Sequence, residues 1–167
     1  ITELFVKRGE GVIVQPPVYQ AFAQTIKSLG REVIENPLVY TEEGYTIDFA
    51  DLAEKAASPA AKVFLLCHPH NPVGRVWRED ELRKLAEICH KNDVLLVTDE
   101  IHGDIVYASN KYVGMVDVAG QLTNKVIMIT SAGKSFGIPG LLDSLIFTPN
   151  TEFYKLLRGR IESLHID

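Results

Sequence analysis

Apolar residues along the chain fall into two alternating kinds of segment, short β-branched runs and longer stretches with apolar positions three and four apart. Residues 11–15 (GVIVQ), 31–35, 62–67 (KVFLLC), 94–98 (VLLVT), 125–130 (KVIMIT) and 145–148 read as strands. The runs at 62–67, 94–98 and 125–130 are continuous rather than alternating, as strands buried on both faces require. Helices are expected over 18–29, where Gly30 stops the pattern, and over 49–57, with Asp48 as the N-cap. The clearest helix covers 79–91, where Leu82, Leu85, Ala86, Ile88 and Cys89 share one face opposite the charges. A last helix is expected over 152–164. Strands separated by helices imply right-handed crossovers, hence an α/β fold with a mostly parallel sheet and helices on both faces.

Composition narrows the class without changing that picture. The chain has 167 residues, 46% apolar and 23% charged, with a net charge of −5. That is enough chain to bury a core and too apolar for disorder. The mild acidity argues against a nucleic-acid partner, and no apolar run reaches the length of a membrane span. Two cysteines, Cys67 and Cys89, make no disulfide framework, so a reducing cytoplasm is expected. The missing initiator methionine and the unfinished pattern at Asp167 are read as signs of a piece of a longer chain.

In open α/β sheets the ligand lies beyond the carboxyl ends of the strands. Pro16-Pro17-Val18-Tyr19 follows the first strand, and His68-Pro69-His70-Asn71-Pro72-Val73-Gly74 follows 62–67. Asp99-Glu100-Ile101-His102 follows 94–98, and Ser131-Ala132-Gly133-Lys134-Ser135-Phe136 follows 125–130. An aromatic, an amide, a carboxylate and a lysine would therefore converge on one sheet edge. Each alone has an ordinary reading as packing, turn, cap or surface charge. All four placed directly after strands make a site.

Two other motifs fail. Gly133-Lys134-Ser135 after a strand suggests a phosphate-binding P-loop, but the position that needs a glycine five residues earlier is Met128. Cys67, His68, His70, Cys89 and His90 suggest a zinc site. The adjacent Cys89 and His90 diverge by about 100° on a helix, and no paired cysteine spacing exists, so no metal is expected.

The blocks CHPHNPVGRVW (residues 67–77), TDEIHGDIVY (98–107) and SAGKSFGIPG (131–140) together resemble the pyridoxal-phosphate enzymes of fold type I. Within the aminotransferase class I/II superfamily they are most similar to the MalY/PatB group of carbon–sulfur β-lyases, which includes cystathionine β-lyases. The resemblance implies that Lys134 holds the cofactor covalently and that Asp99 pairs with its pyridine nitrogen. It implies Asn71 on the ring hydroxyl, Tyr19 stacked on the ring and Ser131 on the phosphate. His102 stands where aminotransferases usually carry tyrosine, and histidine there fits the lyase group. The roles suit the residue types, because a cofactor that stores electrons needs a carboxylate to keep its ring nitrogen protonated.

The sequence departs from the pattern at Gly133, where the lyases more often have serine, and at Leu142, where many aminotransferases place a phosphate-binding arginine. The resemblance makes residues 1–150 the large-domain core and 151–167 the start of a helix toward a small domain that is not present. It also implies a homodimer at full length and a small amino-acid substrate. The leading reading is a lyase releasing thiol, pyruvate and ammonia from a sulfur amino acid. An aminotransferase using the same Lys134 and Asp99 is the second reading, and a catalytically incompetent fragment the third.

Overall fold

A computed structural model of the chain describes residues 1–120 and 122–165. Its elements are α1 (Thr2–Phe5), β1 (Gly11–Val14), α2 (Ala21–Ser28), β2 (Glu32–Glu35), β3 (Val39–Thr41), β4 (Gly44–Thr46), α3 (Phe49–Ala56) and β5 (Ala61–Cys67). They continue with α4 (Glu79–Lys91), β6 (Leu95–Asp99), α5 (Met115–Ala119), β7 (Val126–Thr130), α6 (Ala132–Ser135), β8 (Leu145–Phe147) and α7 (Thr151–Ser163). A 3-10 turn, Pro139–Leu141, lies between α6 and β8.

The main sheet has the order β2-β1-β5-β6-β7-β8. Its first five strands are parallel, as the alternation of strands and helices predicts. Residues of each strand alternate between two cores. Ile13, Phe64, Leu66, Leu96 and Val126 face α3, α4 and α5, burying Leu52, Leu82, Leu85 and Val118. Val12, Val14, Val63, Val97 and Ile127 face the other layer, where Ile26 of α2 and Leu157 of α7 are buried. Asp48 caps α3 as expected, its Oδ1 accepting from Ala50 and Asp51 N at 3.0 Å each. Asn150 caps α7 in the same way.

Several boundaries differ from the sequence pattern. The helix expected over 18–29 starts only at Ala21, because residues 18–20 form the turn that leaves β1. The last strand is antiparallel to β7, pairing Ile129 with Ile146. Only the single turn of α6 and the 3-10 turn separate the two strands, too little for a helical crossover. The β3–β4 hairpin and α1, α5 and α6 carry no clear periodicity and were not anticipated. Among the described residues no helix is long and apolar enough to cross a membrane.

Strand order fixes where a ligand can sit. From β1 the chain goes outward to β2 and then returns to β5 on the other side, so the direction of winding switches between β1 and β5. In-register pairing brings Cys67, Asp99 and Ile129 level at the carboxyl edge of β5, β6 and β7.

Candidate active site

A cavity of about 340 Å³ opens at this edge. All six residues singled out from the sequence line it: Tyr19, Asn71, Asp99, His102, Ser131 and Lys134. Asp99 ends β6 and the others come from segments that follow parallel strands, so the sheet sets their spacing. Cys67, Ile101, Leu142 and Asp143 also reach the cavity.

Asp99 ends β6 on the cavity side. Its Oδ1 accepts from Ile101 N at 3.2 Å, and no lysine or arginine pairs with it among the described residues. Burial therefore pushes its carboxyl above the ordinary carboxylate range, opposed by the Ile101 amide and by nearby His102. A desolvated carboxylate of this kind favours a cationic N–H donor as ligand. Lys134 sits in the one-turn α6, whose cap is Ser131: Ser131 Oγ accepts from Gly133 N at 2.9 Å. Gly133 is buried there, and a Cβ would lie 3.0 Å from Ser131 Oγ and 3.4 Å from Pro139 Cα. Glycine at this position thus fits the tight return of the chain onto Pro139. Tyr19 is half exposed and meets Phe22 edge-on, its ring centroid 5.8 Å away.

Two of the histidines, His68 and His70, tie loops together. His70 Nε2 donates to Pro17 O at 3.1 Å, joining the turn of Asn71 to the turn of Tyr19. His68 Nε2 donates to Val113 O at 3.0 Å, and Trp77 N approaches its Nδ1 at 3.4 Å. Burial lowers both imidazoles to about 4, so they are neutral near pH 7. Cys67 Sγ accepts from Asn71 N at 3.3 Å, and burial pushes its thiol up to about 12. Cys67 is therefore a fixed neutral support beneath Asn71.

Glu100, one residue beyond Asp99, points to the opposite face of the sheet and is 1% exposed. Its carboxylate accepts from Tyr112 Oη and, at 3.0 Å, from Met115 N. Tyr112 stacks on His68 with centroids 5.2 Å apart. Gly103 lies against the phenol, where a Cβ would be 3.0 Å from the Tyr112 hydroxyl. The segment bearing His102 is thus clamped at both ends by one buried carboxylate. The pair Asp99-Glu100 after a buried strand signals this division of labour, because successive side chains alternate faces.

Asp143 is the second residue not anticipated. Its carboxylate lies 3.4 Å from Ser131 Oγ and 3.4 Å from Ala132 N, against the donors that an anion would use. No spacing rule marks it in the sequence, since it enters through the 3-10 turn.

A parallel sheet with a lysine on a capped turn and an unpaired aspartate at the carboxyl end of β6 defines an α/β enzyme class whose site favours a cationic ligand. The family model "Aminotransferase class I and II" matches residues 1–153, and the chain belongs to that family. Cystathionine beta-lyase PatB of Bacillus subtilis is 36% identical over 148 residues, 89% of this chain and 38% of that protein. Protein MalY of Escherichia coli is 34% identical over 156 residues, 91% of this chain and 39% of MalY. The crystal structure of cystalysin from Treponema denticola, which contains pyridoxal 5'-phosphate, superposes with a TM-score of 0.91 at 37% identity. That match covers 96% of this chain and 41% of cystalysin, so the chain spans about two fifths of the relatives it matches.

Proposed function

We propose that the chain is the cofactor-binding core of a pyridoxal 5'-phosphate-dependent carbon–sulfur β-lyase. The observation that carries this reading is the convergence of Tyr19, Asn71, Asp99, His102, Ser131 and Lys134 on one cavity. The names of PatB and cystalysin's bound cofactor support it. In this reading residues 1–150 are the large-domain core, and the segment 151–167, which carries α7, leads toward a smaller domain outside the chain. The whole protein is a cytoplasmic homodimer acting on a small amino acid.

The site suits the group on its own chemistry. The desolvated, unpaired Asp99 matches a protonated pyridine nitrogen, and the two together cost less than either buried alone. Tyr19 offers a ring face, Asn71 and His102 offer polar atoms to the ring hydroxyl, and Ser131 Oγ offers a donor to the phosphate. Bound here, the cofactor supplies a sink for the electron pair left when the substrate loses its α-proton. Lys134 Nζ would hold the cofactor and would be the base for the substrate's α-proton. Asp99 would keep the proton on the ring nitrogen. The Cβ–S bond then breaks, the sulfur leaves as thiolate, and one water completes the balance to thiol, pyruvate and ammonia.

The test uses the full-length protein loaded with cofactor, given cystathionine or S-methylcysteine without any oxo acid. Sustained pyruvate formation is expected, and Lys134→Ala should abolish both turnover and borohydride-stable labelling of this chain. A single half-turnover that resumes only with an oxo acid would mean transamination. Labelling of another lysine would overturn the assignment of Lys134.

A further inference from the structure

A second cavity, of about 280 Å³, adjoins the first and shares Asn71 and His102 with it. Pro72, Val76, Ile105, Val106 and Tyr107 make its apolar wall, and Asn110 adds an amide. Ile105 is 55% and Tyr107 85% exposed, apolar surface that no other part of the described chain covers. Among the described residues no carboxylate, lysine or arginine lines this cavity, whereas the first has Asp99, Lys134 and Asp143.

Charged residues within the lining segments are engaged elsewhere. Arg75 pairs with Glu81 at 2.7 Å and lies over the Trp77 ring at 4.8 Å. Asp104 accepts from Ser135 Oγ at 2.7 Å. His70, which also lines the cavity, has its Nε2–H committed to Pro17 O.

We propose that the second cavity is the subsite for the substrate's side chain and that it selects a neutral, apolar substituent on the sulfur of cysteine. The inference rests on the lyase reading above. Pyridoxal carries its hydroxyl beside its aldehyde, so residues facing the hydroxyl stand at the end where the substrate amine attaches. Asn71 and His102 are those residues, and the second cavity opens from them. A charged end placed in this pocket would lose hydration without gaining an ionic partner, while each buried methylene adds about four-fold in binding. The preferred substrates are accordingly S-alkyl and S-benzyl cysteines, and cystathionine, with an ammonium and a carboxylate at its distal end, is the poorer one.

The experiment compares kcat/KM of the cofactor-loaded full-length protein for S-benzylcysteine, S-methylcysteine and cystathionine. S-benzylcysteine is expected to lead cystathionine by about ten-fold or more. Ile105→Asp and Tyr107→Ala should cost S-benzylcysteine about ten-fold, chiefly through KM, and cost cystathionine less. Calorimetry with norleucine and glutamate, which have no leaving group, supplies a readout independent of turnover: norleucine should bind preferentially and lose that preference in Ile105→Asp. Preference for cystathionine, or a substrate ranking unmoved by both variants, overturns the subsite. Ile105-dependent norleucine binding without pyruvate from any conjugate leaves the subsite standing and overturns the lyase reading.

Discussion

Tyr112→Phe isolates the clamp on the segment that carries His102. The substitution keeps the ring stacked on His68 and removes only the hydroxyl that donates to Glu100. Glu100 then keeps Met115 N at 3.0 Å but loses its phenol donor in a buried position. Losing a hydrogen bond to an ionised buried group costs about 1.5–3 kcal/mol, and to a neutral one about 0.5–1.5 kcal/mol. Burial raises the Glu100 carboxyl above its ordinary 4.5, while the Tyr112 hydrogen bond pulls it back down. A raised carboxyl stabilises the fold fully below its unfolded value and loses that contribution as pH rises through the folded value. Removing the Tyr112 hydroxyl raises the folded value further, so the variant loses more at neutral pH than in acid. The destabilisation should be about 2 kcal/mol at pH 7.5 and about 1 kcal/mol at pH 4. Urea unfolding followed by the fluorescence of Trp77, the single and fully buried tryptophan, measures both. Equal losses at the two pH values, or a loss below about 0.5 kcal/mol at pH 7.5, would refute the clamp.

Three further outcomes test the site itself. Asp99→Asn should retain cofactor binding but slow α-proton removal by at least about 100-fold, because an amide does not hold the ring nitrogen protonated; exchange of the substrate α-hydrogen with deuterated solvent reads this directly. Asp143→Asn should tighten binding of pyridoxal 5'-phosphate about three- to ten-fold while leaving phosphate-free pyridoxal unchanged, since in the proposed placement only the phosphate would meet the carboxylate beside Ser131 Oγ and Ala132 N. Gly133→Ala should lower the melting temperature, because its methyl group would press on Ser131 Oγ and Pro139; an unchanged transition in calorimetry would show that the turn relaxes freely.

How much of this was legible in the sequence depends on burial. The strands at 11–15, 62–67, 94–98 and 125–130 stand out because parallel strands covered on both faces must be apolar throughout, and their ends locate Tyr19, Asn71, Asp99 and Lys134. The β3–β4 hairpin leaves no such trace, since all three residues of β3 are exposed and those of β4 only half-buried. The direction of β8 is equally hidden, because it depends on how Pro139–Leu141 returns the chain. Asp143 escapes for the same reason. Helix α5 is too short to show a period, yet it supplies the Met115 amide that fixes Glu100.

The two consecutive carboxylates at the end of β6 show how a parallel sheet separates chemistry from support. Strand geometry sends Asp99 and Glu100 to opposite faces, so identical charge meets different surroundings one residue apart. Glu100 reaches the layer of α5, where a phenol and a backbone amide use its acceptors and leave nothing for a ligand. Asp99 reaches the cavity, where a single backbone amide uses one oxygen and burial raises the energetic cost of its charge. An unfilled acceptor in a poorly hydrated place is a standing demand for a cationic donor, and the flanking turns present Asn71 and Lys134 around the same space. The anchoring carboxylate in turn holds the segment from His102 to Tyr112 against the sheet. That segment carries Ile105, Val106 and Tyr107, the apolar wall of the second cavity. Loosening Glu100 should therefore blur the choice between neutral and charged side chains before it affects Asp99. Tyr112→Phe, assayed for S-benzylcysteine against cystathionine, should narrow the ratio of kcat/KM with little change in cofactor affinity. A variant that lost cofactor affinity while keeping the ratio would show that Glu100 serves the first cavity instead.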